Sequence, residues 1–232
     1  MAIFAIADLH LSFDPRVKKP MDIYGSRWEN HAERLKEHCR EMITNEDTVL
    51  IPGDISWALR PDEALMDLEW VHESIPGQKV LLKGNHELWW QSVSKLNKLY
   101  DDMFFLQNTF FEAEGAAICG TRGWLCPGAA EYTQQDEKIY RREALRLEMS
   151  LSAAKKAGFT DIIGALHYPP TDERHNASRF TELFEEYGVK RVFYGHLHGR
   201  DVWPKGLKGI YKGVEYNLVS LDYLDAKPVR IR

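Results

Sequence analysis

Eight side chains able to bind metal or move protons stand at the ends of five short apolar runs. The runs read IFAIA before Asp8-Leu9-His10, TVLIP before Gly53-Asp54, KVLLK before Gly84-Asn85-His86-Glu87, DIIGAL before His167, and RVFYG before His196-Leu197-His198. Runs this short and rich in Val, Ile and Leu, separated by helix-like segments, predict buried parallel strands. Ligands of such sheets gather beyond the carboxyl ends of the strands. Two Asp, one Asn and five His are therefore expected at one place. Polar groups this costly to desolvate converge where they hold metal.

Residues two apart on a strand share a face, so Asp8 and His10 can grip one ion and His196 and His198 can act as a pair. Glycine at 53, 84 and 195 lets the chain turn sharply and leaves room beside it. Imidazole, carboxylate and amide oxygen together suit Zn, Mn, Fe, Co or Ni rather than Ca or Mg alone. The donors exceed what one tetrahedral ion uses, and two ions sharing a carboxylate would use them all.

The elements that must position these residues follow from pattern. After the first strand, residues 11–27 carry Pro15, Pro20 and Gly25 and read as a loop at the mouth of the site. Helical spacing is expected from about 27 to 44, from Pro61 to about 75, near 91–100, over 134–156 and over 177–187. Strands are expected at 48–52, 79–83, 103–107, 109–113, 116–119, 161–166 and 191–194. The tail from 211 to 231 reads as antiparallel finishing strands. Pro61 with Asp62 and Glu63 suits a helix start, and Gly158 a helix stop.

The 232 residues, 44% hydrophobic, suit one domain spanning 1–232. A net charge of −5 gives no general attraction to nucleic acid or anionic membrane, so an anionic substrate needs a local field. Three scattered cysteines without a Cys-x-x-Cys fit a reducing compartment. The first apolar run stops at Asp8, too short for a signal peptide or a membrane span. A cytoplasmic location is expected.

Asp8-x-His10, Gly53-Asp54, Gly84-Asn85-His86-Glu87, His167 and Gly195-His196-x-His198, in that order, resemble the calcineurin-like metallophosphoesterase superfamily. The resemblance implies an α/β fold: a two-sheet β-sandwich flanked by helices (αββα), with a binuclear metal centre at the strand ends. By motif position it assigns Asp8, His10, Asp54 and His198 to one divalent ion and Asn85, His167 and His196 to the other, with Asp54 bridging. It implies a phosphohydrolase in which a hydroxide shared by the ions attacks a phosphomonoester or phosphodiester, nucleotide-like substrates included. His86 would protonate the leaving group. The expected partner is a small phosphorylated molecule, without extended nucleic acid and without membrane.

One branch of that superfamily, the protein Ser/Thr phosphatases, continues Gly-Asp-x-x-Asp-Arg-Gly, whereas Gly53-Asp54 is followed here by Ile55-Ser56-Trp57-Ala58. An arginine two residues after their Gly-Asn-His-Glu is replaced by Trp89. Two bidentate phosphate anchors are missing, which counts against phosphoprotein substrates. Trp57, Trp89 and Trp90 either stack on a nucleobase or pack the core. Glu87 reads as a structural hydrogen-bonding residue, Cys119 and Cys126 as buried thiols, and Arg122 as a solvated surface charge. Residues 171–179 and the stretch with Arg200, Lys205, Lys208 and Lys212 are candidate rim loops. Two other functions fit the pattern less well. A nuclease needs a row of cations along the backbone path, and a non-catalytic metal-binding scaffold should have lost ligands that are all present.

Overall fold

Ile3 and Ala5 point to one side of the first strand and Phe4 to the other, and all three are buried, so this strand is covered on both faces. A computed structural model describes residues 1–232 and shows what covers them. In chain order the elements are β1 (Ile3–Ala5), α1 (His31–Met42), β2 (Thr48–Ile51), α2 (Pro61–Ser74), β3 (Gln78–Leu81), α3 (Val93–Leu96), β4 (Met103–Phe105), β5 (Phe110–Ala113) and β6 (Ala116–Thr121). They continue with α4 (Gln134–Lys156), β7 (Ile162–Leu166), α5 (Arg179–Glu186), β8 (Arg191–Tyr194), β9 (Gly209–Tyr211), β10 (Val214–Leu218) and β11 (Val229–Arg230).

Two mixed sheets result, ordered β11-β1-β2-β3-β4 and β5-β6-β7-β8-β10-β9. Their facing sides form one buried cluster, in which Ile3, Ala5, Leu50 and Val80 meet Ile118, Ile163, Ala165 and Phe193. The outer face of the first sheet packs on Leu35, Cys39, Ala64, Leu68 and Val71 of α1 and α2. The outer face of the second packs on Leu147 and Leu151 of α4 and Phe180, Leu183 and Phe184 of α5. The layers run helix, sheet, sheet, helix, as the motif resemblance implies. No helix is long and apolar enough to cross a membrane.

Local chemistry sets the boundaries. Glu63 accepts the N–H groups of Leu59 and Arg60 at the start of α2, and Asp136 accepts that of Thr133 at the start of α4; both satisfy donors a helix leaves unpaired. The first helix begins at His31 instead of 27, because Asn30 is left-handed (φ 49). The helix expected over 91–100 is a single turn; it stops at Asn97, whose side chain accepts the Phe105 N–H at 2.7 Å instead. The tail is antiparallel where β9 meets β10 and where β11 meets β1, and departs from the expected finish at one pairing. β10 runs parallel to β8, while β9 is its antiparallel partner at the sheet edge. The two-residue turn at Lys212-Gly213 (φ 48 and 80) reverses the chain there, a hairpin geometry that fits strand twist.

Candidate metal centre

β1, β2 and β3 of one sheet and β7 and β8 of the other are parallel strands whose carboxyl ends lie at the same edge of the sandwich, where the five motifs follow. The candidate ligands are not themselves in strand geometry. Asp8 (φ 62), His10 (φ 47), Asp54 (φ 52) and His196 (φ 72) are all left-handed. The shared-face argument for Asp8 and His10 is thus replaced by a turn that aims both inward. Such backbone costs an L-residue about 1–3 kcal/mol each and persists where surrounding contacts enforce it.

Every residue expected at the site is there. Asp8, His10 and His198 bring ligand atoms within 4.8 Å of one another, and so do Asp54, His167 and His196. His10 Nε2 lies 3.2 Å from His198 Nε2. Asn85 Oδ1 lies 2.7 Å from His167 Nε2 and 2.9 Å from His196 Nδ1. Asp54 Oδ2 stands between the groups, 3.8 Å from His10 Nε2 and 3.4 Å from His167 Nε2. Asp8 Oδ1 is 3.8 Å from His198 Nε2. Asp8 and Asp54 are buried, as are His10 and His167.

Proton positions decide whether these residues fit a cation. His167 Nδ1 faces the Pro52 carbonyl at 3.0 Å, so Nδ1 keeps a hydrogen and Nε2 is the nitrogen that presents a lone pair once the ring is neutral. That lone pair faces the Asn85 and Asp54 oxygens, which are acceptors. His198 repeats the device: its Nδ1 donates to Asp222 Oδ1 at 2.9 Å, turning the Nε2 lone pair toward Asp8. Acceptors aimed at acceptors at these separations fit a shared cation. Metal–nitrogen and metal–oxygen bonds of about 2.1 Å place neighbouring ligands roughly 3.0–3.4 Å apart.

The electrostatics agree. Burial drives the pKa of His10 far below the histidine range, and burial beside His167 takes His196 to about 3, so both imidazoles are neutral donors. Burial would raise Asp54, yet His167, His10 and His86 hold it well below the usual carboxylate range, as an anion. His167 differs: burial opposes its charge, but Asp54, Asp8 and Glu87 lift its pKa to about 9, so a cation taking Nε2 displaces a proton from that ring.

Two supporting carboxylates complete the shell. Glu87 is buried and accepts the N–H groups of Asp54 (2.9 Å), Ile55 (2.6 Å), Ser56 (3.3 Å) and Gly84, stitching the loops after β2 and β3 together. This is a structural role. Asp222, which sequence reasoning missed, accepts from His198 Nδ1 and from the Gly199 N–H at 2.9 Å each. It lies far down the chain in a turn-rich tail, where no motif marks it. Gly84 and Gly195 leave the space required: a Cβ on Gly84 would overlap Asp54, and one on Gly195 would overlap Asp8.

His86 stands at the open side, its side chain 39% exposed and its Nε2 3.9 Å from Asp54 Oδ2. Burial lowers its pKa, opposed by Asp54. Its ring packs against Trp57, centroids 4.0 Å apart. The tryptophans divide: Trp89 is core at 2% exposure, whereas Trp57 lines the cleft and stacks on His10 at 4.6 Å. Arg122 is not a solvated charge. Its side chain is 15% exposed, lies 3.6 Å from Glu143 and covers the Trp124 ring at 4.5 Å. Cys119 and Cys126 are buried and their thiols are pushed up to about 12.

The model of the calcineurin-like phosphoesterase family matches residues 1–200 of this sequence. The chain belongs to that family. Calcineurin-like phosphoesterases typically use divalent metals, which agrees with the two donor groups. Two solved structures share the fold. One is a protein of unknown function, AQ665, from Aquifex aeolicus (TM-score 0.52, 16% identity, covering 99% of this chain and 95% of that one). The other is TT1561 of Thermus thermophilus (TM-score 0.56, 10% identity, covering 84% and 81%). No curated protein matches the sequence.

Proposed function

We propose that this calcineurin-like phosphoesterase is a metal-dependent hydrolase of small phosphomonoesters or phosphodiesters. The observation that supports it most is the convergence of seven lone-pair donors, from loops of both sheets, beside an exposed imidazole. Asp8, His10, Asp54 and His198 would hold one divalent ion, and Asn85, His167 and His196 the other, with Asp54 shared. Ions bound there supply Lewis-acid stabilisation of phosphoryl oxygens and lower the pKa of a water nucleophile.

The chain's own groups do the rest. Asp222 and Pro52 hold a hydrogen on Nδ1 of His198 and His167, so that Nε2 of each ring is the nitrogen turned toward a cation. Glu87 fixes the Asp54 and Asn85 loops against each other. His86 is positioned to give a proton to the departing oxygen, and the negative charge of the substrate favours its protonated form.

The test is hydrolysis of bis(p-nitrophenyl) phosphate and p-nitrophenyl phosphate by Mn-reconstituted protein. Turnover of at least one ester, abolished by chelation, is expected. His86→Ala should slow it by about 10²–10⁴-fold with metal content retained, whereas Asn85→Ala should lower metal content. Metal-loaded protein that hydrolyses neither ester would favour a non-catalytic scaffold.

A further inference from the structure

We infer that the leaving alcohol of the substrate carries a planar aromatic ring of nucleobase size, seated in the chamber beside His86. The inference rests on the hydrolase reading above and adds the class of leaving group. The chamber measures about 690 Å³, in the size range of small-molecule sites. His10, His86 and His198 form its inner end, and Tyr24, Trp28, Trp57 and Trp203 line it. A phosphate at the metal donors must direct one ester oxygen toward the proton donor, and what hangs on that oxygen enters this space.

The aromatic side chains have different tasks. Trp28 is 3% exposed and sets its edges against His10, His31 and His198, so it supports the metal ligands. Trp57 spends one face on His10. Tyr24 is 65% exposed, and no aromatic ring or hydrogen-bonding group of the chain meets its side chain. A large ring left in water at the lip of a chamber with tryptophan walls is placed to cover a second flat ring. Aromatic stacking of a base tolerates any base identity, because each presents a π face. Arg200 lines both this chamber and an adjoining polar pocket of about 450 Å³, and it has no ion-pair partner. It offers a cation to the acceptors that the edge of a heteroaromatic ring presents.

The experiment compares adenosine 5′-monophosphate with 1-O-methylribose 5-phosphate, and the methyl phosphodiesters of the same two alcohols. Each pair shares its leaving oxygen and differs in the base. A kcat/KM ratio of about tenfold or more in favour of the adenosine compound is expected, and Tyr24→Ala should reduce that ratio. A ratio within twofold of unity, with both compounds turned over, would overturn the inference. Turnover of the p-nitrophenyl esters but of no member of either pair would also overturn the inference; should those esters resist as well, the hydrolase reading is what fails, and tryptophan fluorescence on titration with adenosine decides the chamber. Saturable quenching that Tyr24→Ala weakens at least fivefold supports a ring site; absence of quenching overturns it.

Discussion

Glu87 Oε2 accepts the backbone N–H of Asp54 at 2.9 Å, although the two residues stand on different loops and neither side chain is open to solvent. The same carboxylate takes three further N–H groups, so one side chain sets the spacing between Asp54 and Asn85. Glu87→Ala would leave several buried donors unpaired, each costing about 1–3 kcal/mol. A loss on the order of 3 kcal/mol or more in urea unfolding is expected, together with reduced metal content. Unchanged stability would show that the loops are held by other contacts.

Asp222 fixes the ring of His198 without being positioned as a ligand. Replacing such a partner typically costs about 10–100-fold in metal affinity. Asp222→Ala should show a loss of this size by calorimetric titration with Mn, at little cost in overall stability. Equal affinity in variant and parent would mean that His198 needs no support.

Gly84 lies against Asp54 with no space for a β-carbon. Gly84→Ala is expected to displace the Asp54 carboxylate and to remove metal binding at neutral pH, while Gly115→Ala, at a left-handed position (φ 70) that strains alanine but where a β-carbon meets no neighbour, loses some stability and keeps the metal. Metal analysis of the dialysed proteins distinguishes the two. Full occupancy in Gly84→Ala would contradict the geometry.

Asp67 provides a pH test away from the metal donors. Burial raises its pKa from 3.8 to about 6, while hydrogen bonds from Ser56 and from the Phe13 N–H partly offset the rise. Between those values the folded chain binds more protons than the unfolded one, so this residue makes stability fall as pH rises from about 4 to 6. The full difference is on the order of 3 kcal/mol. Asp67→Asn, neutral throughout, should be more stable than the parent at pH 7.5 and should lose that advantage near pH 4. Parallel pH profiles of the urea midpoint would exclude the effect.

The cluster of candidate ligands is legible in the sequence because each of its members closely follows an apolar run, and a buried parallel strand fixes where its own end lies. Strand direction is harder to read. The alternation of Val214, Tyr216 and Leu218 marks a strand with one buried face but does not say which neighbour it joins, and β10 is parallel to β8. Asp222 is invisible in the sequence because its partner, His198, lies close only after the second sheet forms. Arg122 reads as a surface charge because its burial depends on Glu143, which α4 brings from elsewhere in the chain. Trp57 and Trp89 are indistinguishable as residue types, and only packing sends one to the cleft and the other to the core.

The most direct measurement is anomalous diffraction from Mn-loaded crystals. Two peaks are expected about 3.5–4 Å apart, one bounded by Asp8, His10 and His198, the other by Asn85, His167 and His196, with Asp54 touching both. A single peak, or peaks away from Asp54, would contradict a shared two-ion centre.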